Sequence, residues 1–173
     1  FIDTTSGYAY VCGSDVGMPI LDLTNPTAPT LITTYTDQYV HEATAQNGLA
    51  HFSEIYHGQY RLVDVSNLPT ITTLDTIATP AAFTHSATVN AADTLTGVTD
   101  EVVGARFALY DITDHANIVQ RGTYVEKPAG ILHNVFMVGD AAYLSAYAEG
   151  FVCIDLRDPD RLKKLGSYDT WSG

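Results

Sequence analysis

The sequence predicts an all-β fold in which one four-stranded unit recurs about every 45 residues. Two observations carry this expectation. An apolar–Asp–turn string occurs four times, and no stretch of the 173 residues shows a helical period. The copies are "ILDLTNP", "LVDVSNLP", "LYDITDHA" and "CIDLRDPD". They are anchored by Asp22, Asp64, Asp111 and Asp155, which stand 42, 47 and 44 residues apart.

With the four Asp aligned, each remaining strand falls into register. The apolar run before each Asp is a third strand, and the residues after it form its closing turn. Asp, Ser, Thr and Asn bond to nearby backbone amides in such turns, while Pro26, Pro69 and Pro159 stop the strand. Upstream of each third strand is a β-rich second strand, in "GYAYVCG", "GLAHFSE", "DTLTGVT" and "AAYLSAY". About thirteen residues after the Asp come Tyr35, Tyr124 and Tyr168, with Asp75 and Thr76 near the equivalent place; these mark an outer strand. At 19, 21 and 22 residues after it stand His41, His85 and His133, each opening an innermost strand. The widest spacing reflects extra residues in 93–107, a stretch that holds Asp93, Asp100 and Glu101 without the spacing of a calcium loop.

Four short antiparallel strands per unit at this period predict blades of a β-propeller, with units near 1–40, 41–84, 85–132 and 133–173. Four blades make a small ring, and both ends of the chain look like cuts. The expectation is therefore one domain or segment of a larger ring, of about six to eight blades. Alternation along the strands predicts that Val11, Leu21, Val63, Leu109, Val135, Leu144 and Ile154 are buried between sheets.

Composition bounds the function. Hydrophobic residues make up 46% and charged residues 16%, which excludes a disordered chain. The net charge of −12 repels nucleic acid and anionic membrane and suits cations or a basic partner. No apolar run is long enough to span a membrane as a helix. Cys12 and Cys153 lie in apolar strings and read as free buried thiols, so they do not fix a compartment. A nucleotide-binding glycine loop, a G-x-S-x-G elbow and an H-E-x-x-H pair are all missing from the sequence.

The strings "ILDLTNPTAPTLITTYT" and "CIDLRDPDRLKKLGSYDT" resemble LVIVD repeats. The run "FIDTTSGYAYVCG", the "TH" and "LHN" motifs of the inner strands and the terminal "GSYDTWSG" are similar to the choice-of-anchor B family. The resemblance implies a bacterial, extracellular or cell-surface propeller, often followed in its relatives by a separate anchor. It lends no catalytic residues.

The residues that could carry chemistry are His41, His85 and His133. One register position in three successive blades places them on a ring at similar height near one mouth of the central channel; whether they meet is a separate matter. There they could bind a divalent metal (zinc, manganese or calcium), with Glu42 and Asn134 supplying oxygens. They could equally pin blades together, one hydrogen bond each, or serve as acid–base groups. The loop "EIYHGQYR" brings Tyr56, His57 and Arg61 forward as a possible stacking surface for a sugar or peptide. The leading functional expectation is a binding or structural module that meets protein or glycan at the cell surface, as a homo-oligomer or part of a larger assembly. The alternative is a metal-dependent lyase or hydrolase acting on polysaccharide.

Overall fold

The computed structural model describes residues 1–170; residues 171–173, the end of the "GSYDTWSG" string, lie outside the described residues. The chain forms four antiparallel sheets of four strands each, every one ordered as its strands follow in sequence. The first holds β1 (Ile2–Asp3), β2 (Tyr8–Tyr10), β3 (Met18–Asp22) and β4 (Thr30–Tyr35). The second holds β5 (Glu42–Gln46), β6 (Leu49–Glu54), β7 (Gln59–Asp64) and β8 (Thr72–Ala78). The third holds β9 (Thr84–Val89), β10 (Leu95–Asp100), β11 (Phe107–Asp111) and β12 (Val119–Tyr124). The fourth holds β13 (Val135–Val138), β14 (Ala141–Ser145), β15 (Phe151–Asp155) and β16 (Lys163–Tyr168). The innermost strands touch in series, β1 with β5, β5 with β9 and β9 with β13, as in propeller blades around a channel.

The repeated Asp is a turn residue in every blade. Asp22, Asp64, Asp111 and Asp155 each accept a hydrogen bond from the backbone N–H two residues on, at 2.7, 2.8, 3.0 and 3.0 Å. The side chain thus closes the turn that its own strand needs to reverse. The guanidinium of Arg157, bonded to Asp155, pulls that carboxyl down to about 2.

Three apolar layers join the blades. Tyr10, Met18, Ile20 and Tyr35 pack on Phe52, Val63 and Val65. Leu49, Tyr60 and Leu62 pack on Val98, Ala108, Tyr110 and Ile112. Phe107 and Leu109 pack on Val135, Leu144, Val152 and Ile154. Val63, Leu109, Val135, Leu144 and Ile154 are buried as expected. Val11 corrects the expectation, being 43% exposed, and Leu21 is only half-buried. Leu21 pairs with Ala9 and Leu31, and 63% of Leu31 is exposed, so this row lies on the face of the first sheet turned away from the second. Alternation finds two faces but does not say which of them receives a neighbouring sheet.

Close approach between the third and fourth blades depends on Gly122. Its N–H donates to the Pro159 carbonyl at 2.7 Å, and an added Cβ would stand 2.5 Å from that oxygen. Beside it the Arg121 guanidinium grips Asp160 at 2.8 Å. Gly122→Ala is therefore expected to lower stability by about 1–3 kcal/mol. A urea midpoint equal to wild type would show that the two blades do not meet this closely.

Candidate functional site

The blade register brings His41, His85 and His133 together at one end of the inner strands. His41 stands immediately before β5 and His133 two residues before β13, and their N–H groups donate to Ser53 and Ser145 carbonyls, both at 2.8 Å. His85 is the second residue of β9. In each blade the start of the inner strand is thus tied to the end of the second strand, which fixes the height of the ring. The His41 and His85 ring centroids are 4.5 Å apart, and those of His85 and His133 are 4.0 Å apart.

Glu101, just after β10, supplies the carboxylate. Its Oε2 lies 3.4 Å from His85 Nε2 and its Oε1 lies 3.5 Å from His133 Nε2. Both separations exceed a good N–H···O hydrogen bond. The Tyr147 hydroxyl donates to the same carboxylate. Tyr147 holds a backbone φ of +34°, a conformation that side-chain-bearing residues seldom adopt, and its ring lies 5.4 Å from that of His133. One ligand atom each from His41, His85 and Glu101 can be chosen so that all lie within 4.8 Å of one another.

Two of the imidazoles, His41 and His85, are set to be neutral. Burial, helped by the neighbouring His133 and His41 rings, pushes His85 down to about 4. Burial likewise lowers His41. A neutral imidazole offers a lone pair, the form that ligates metal. His85 Nδ1 is buried without a hydrogen-bond partner among the described residues. The His41 ring makes no hydrogen bond among them either, only ring contacts with Tyr39 and His85. The His41 ring and His85 Nδ1 thus make no pinning hydrogen bond among the described residues, whereas His133 Nδ1 meets the Asn134 amide oxygen.

The other residues singled out from sequence are distributed as follows. Glu42 and Asn134 adjoin the histidines but are bonded to each other, at 2.9 Å, rather than to the imidazole of His85. They line the channel, a cavity of about 800 Å³ whose wall also includes Val11, Ala43, Val89 and Phe136. Tyr56 is exposed and packs against Tyr39, which in turn meets His41. His57 is exposed at the end of a short 3₁₀ turn, Ile55–His57. Arg61 is engaged by the buried Glu54 carboxylate at 2.7 Å, together with Thr73, and is not brought to the histidines. The sequence reading did not single out Glu101, Tyr147 or Tyr39 for this cluster. Glu101 and Tyr147 are 46 residues apart, equivalent positions beyond the second strand of successive blades. Pairing the end of the second strand with the start of the inner strand was the signal that could have found them.

An LVIVD repeat model matches residues 4–37, the segment that contains β2, β3 and β4. The chain carries an LVIVD repeat. No curated protein matches it in sequence. Solved structures do match the chain in fold. A candidate 6-phosphogluconolactonase from Bacteroides uniformis superposes with a TM-score of 0.76 at 10% identity, over 98% of this chain and 54% of that one. The Pseudomonas aeruginosa periplasmic gluconolactonase PpgL gives 0.71 at 10% identity, over 97% and 55%. A Lactobacillus plantarum protein gives 0.70 at 13% identity, over 98% and 55%. At these identities the likeness is one of fold, and the chain spans about half the length of each of these neighbours. No helix among the described residues is long and apolar enough to cross a membrane.

Buried neutral histidines also give the chain a pH dependence. His51, fully buried between the second and third blades, meets the Tyr60 hydroxyl at 2.7 Å and is pushed by burial to about 4, like His85. Both take up a proton more readily when unfolded. Stability is therefore unaffected above pH 6.5 by these two groups and falls as pH drops from about 6.5 to about 4. His51→Gln is expected to flatten that slope in urea unfolding followed between pH 7 and 4. An unchanged slope would assign the acid sensitivity to other groups.

Proposed function

We propose that the chain holds a divalent transition-metal ion on His41, His85 and Glu101 and uses it to hydrolyse an ester or lactone at the channel mouth. The observation that carries this reading is the convergence of three donors from two blades within 4.8 Å, two of them neutral imidazoles. Two nitrogens and one oxygen suit zinc or manganese better than calcium, which prefers an all-oxygen cage. Three protein ligands leave a position for water, the pattern of catalytic rather than structural sites. An ion held there would supply a lowered pKa for bound water and polarisation of a carbonyl. His133, with Nε2 beside Glu101, would accept the proton of the attacking water, and Tyr147 would hold the Glu101 carboxylate in place. Fold likeness to gluconolactonases favours a lactone over a polymer, as analogy only.

The test is direct. Protein equilibrated with zinc or manganese and then desalted should retain about one ion per chain, with hydrolysis of at least one member of a lactone and aryl-ester panel. His85→Gln and Glu101→Gln should lose both. Absence of stoichiometric metal would remove the proposal.

A second reading, a glycan-binding module, is favoured by the exposed Tyr56 ring packed against Tyr39 at 4.9 Å beside the same mouth. Such a pair offers a flat apolar face to a sugar. Both readings fit a location outside the cytoplasm, which is the expectation from the LVIVD repeat and the periplasmic neighbour. Both also fit a chain that supplies half of a larger ring, given the neighbours' length.

A further inference from the structure

Glu42 has no place in the reaction just proposed, yet it is the most elaborately held carboxylate near the histidines. It starts β5 in the second blade. Its Oε1 accepts the Ser86 hydroxyl of the third blade at 2.8 Å. Its Oε2 accepts the side-chain amide N–H of Asn134, at the entrance to the fourth, at 2.9 Å. One carboxylate thus ties three inner strands together. The amide oxygen of Asn134 meets His133 Nδ1. The main chain on either side is fixed as well. The Asn134 N–H donates to the Ser145 hydroxyl at 2.9 Å, and the Val135 N–H reaches the Ser86 hydroxyl at 3.3 Å.

This chain of bonds decides a proton position. A carboxylate only accepts, so Glu42 requires the NH₂ end of the Asn134 amide. The oxygen end is then left for His133, and an oxygen can only be met by an N–H. His133 Nδ1 therefore carries a proton, and in the neutral ring Nε2 carries the lone pair. The flipped amide would set oxygen against carboxylate at one end and leave an NH₂ group facing Nδ1 at the other. The lone pair on Nε2 points toward Glu101, 3.5 Å away. That contact is repulsive unless a proton or a cation lies between the two, which is the situation the proposed site supplies.

We infer that Glu42 and Asn134 are positioning residues that set the tautomer of His133, so that its Nε2 faces the site at the channel mouth as a base. The use of that base rests on the function proposed above; the tautomer does not. Ser86 supports the arrangement by holding the other oxygen of Glu42. Burial raises the Glu42 carboxyl above its ordinary range, and the bond from Ser86 works against that rise.

The experiment uses the metal-free full chain, labelled with ¹⁵N at histidine, at pH 8. Two-bond ¹H–¹⁵N correlations report which ring nitrogen carries hydrogen, and the His133→Gln spectrum identifies the signals of His133. Wild type is expected to show the Nδ1–H form at His133. Glu42→Gln frees the Asn134 amide to rotate and should raise the Nε2–H form to a substantial fraction. Asn134→Ala should do so more completely, and Asn134→Asp, which keeps an acceptor beside Nδ1, should restore Nδ1–H. His41 and His85 signals should stay in place in all three variants, which a general loss of structure would not allow. An Nε2–H form in wild type, or the same form in wild type and Glu42→Gln, would overturn the inference. Zinc retention by Glu42→Gln should match wild type, since the three proposed ligands are untouched. A chain that holds no zinc but shows the expected tautomers would remove the metal reading and leave this one standing.

Discussion

Zinc or manganese is expected to raise the melting temperature of the chain by roughly 5–10 °C at a hundredfold excess over its dissociation constant. The figure follows from linkage. Ligand binding only to the folded state adds about 2.7 kcal/mol at that excess. Each kcal/mol shifts the midpoint of a chain of this size by about 2–4 °C. His41, His85 and Glu101 come from two blades and are together only when those blades are docked, so binding to the unfolded chain adds little. His85→Gln should abolish the shift, and calcium should produce little of it, because two of the three donors are nitrogen. The shift should persist through pH 6 and fade only toward about pH 4, because burial lowers both His41 and His85, the latter to about 4, and protons compete for these imidazoles only there. A melting curve insensitive to all three ions would overturn the metal reading.

Phe107→Ala should destabilise the protein by about 3–5 kcal/mol, the largest effect expected of a single side chain. Phe107 is fully buried on β11 and belongs to the layer that joins the third and fourth blades. Its ring fills the space that Gly97 leaves open: a Cβ on Gly97 would lie 2.7 Å from Phe107 Cε2 and 2.9 Å from Met137 Sδ. Truncating the ring empties the space between two sheets whose backbones are fixed by their own ladders, so collapse can recover only part of the loss. Val138→Ala is the control. Val138 is 65% exposed, and its loss should change stability by less than about 0.5 kcal/mol. Equal urea midpoints for Phe107→Ala and wild type would contradict the packing described.

Much of the architecture was legible because its signals are local. An Asp that bonds the amide two residues on is a short-range device, and four copies at nearly even spacing reveal both the strand before it and the turn after it. The identity of the buried face was less legible. Val11 alternates like a core residue but lies on a blade whose outward face has no sheet against it among the described residues. The histidines were legible as a register. Glu101 was not, because its link to them runs across a strand pair and it stands in the stretch that breaks the even spacing. Tyr147 was hidden in the same way, since nothing in "SAYAEG" announces a positive φ. The Glu42–Asn134 bond spans 92 residues, and no local pattern encodes it.

The repeat register also has a consequence for how the molecule assembles. His41, His85 and His133 are 44 and 48 residues apart, and every contact among their rings is a contact between blades. A single blade can complete its own hairpins and turns without forming any part of the cluster. Chain closure over such separations comes late, after local hairpins exist. The histidine cluster is therefore a reporter of the last event in folding, the docking of the second, third and fourth blades in correct order. Exchanging two blades or inserting another between them would leave each sheet intact and erase the cluster.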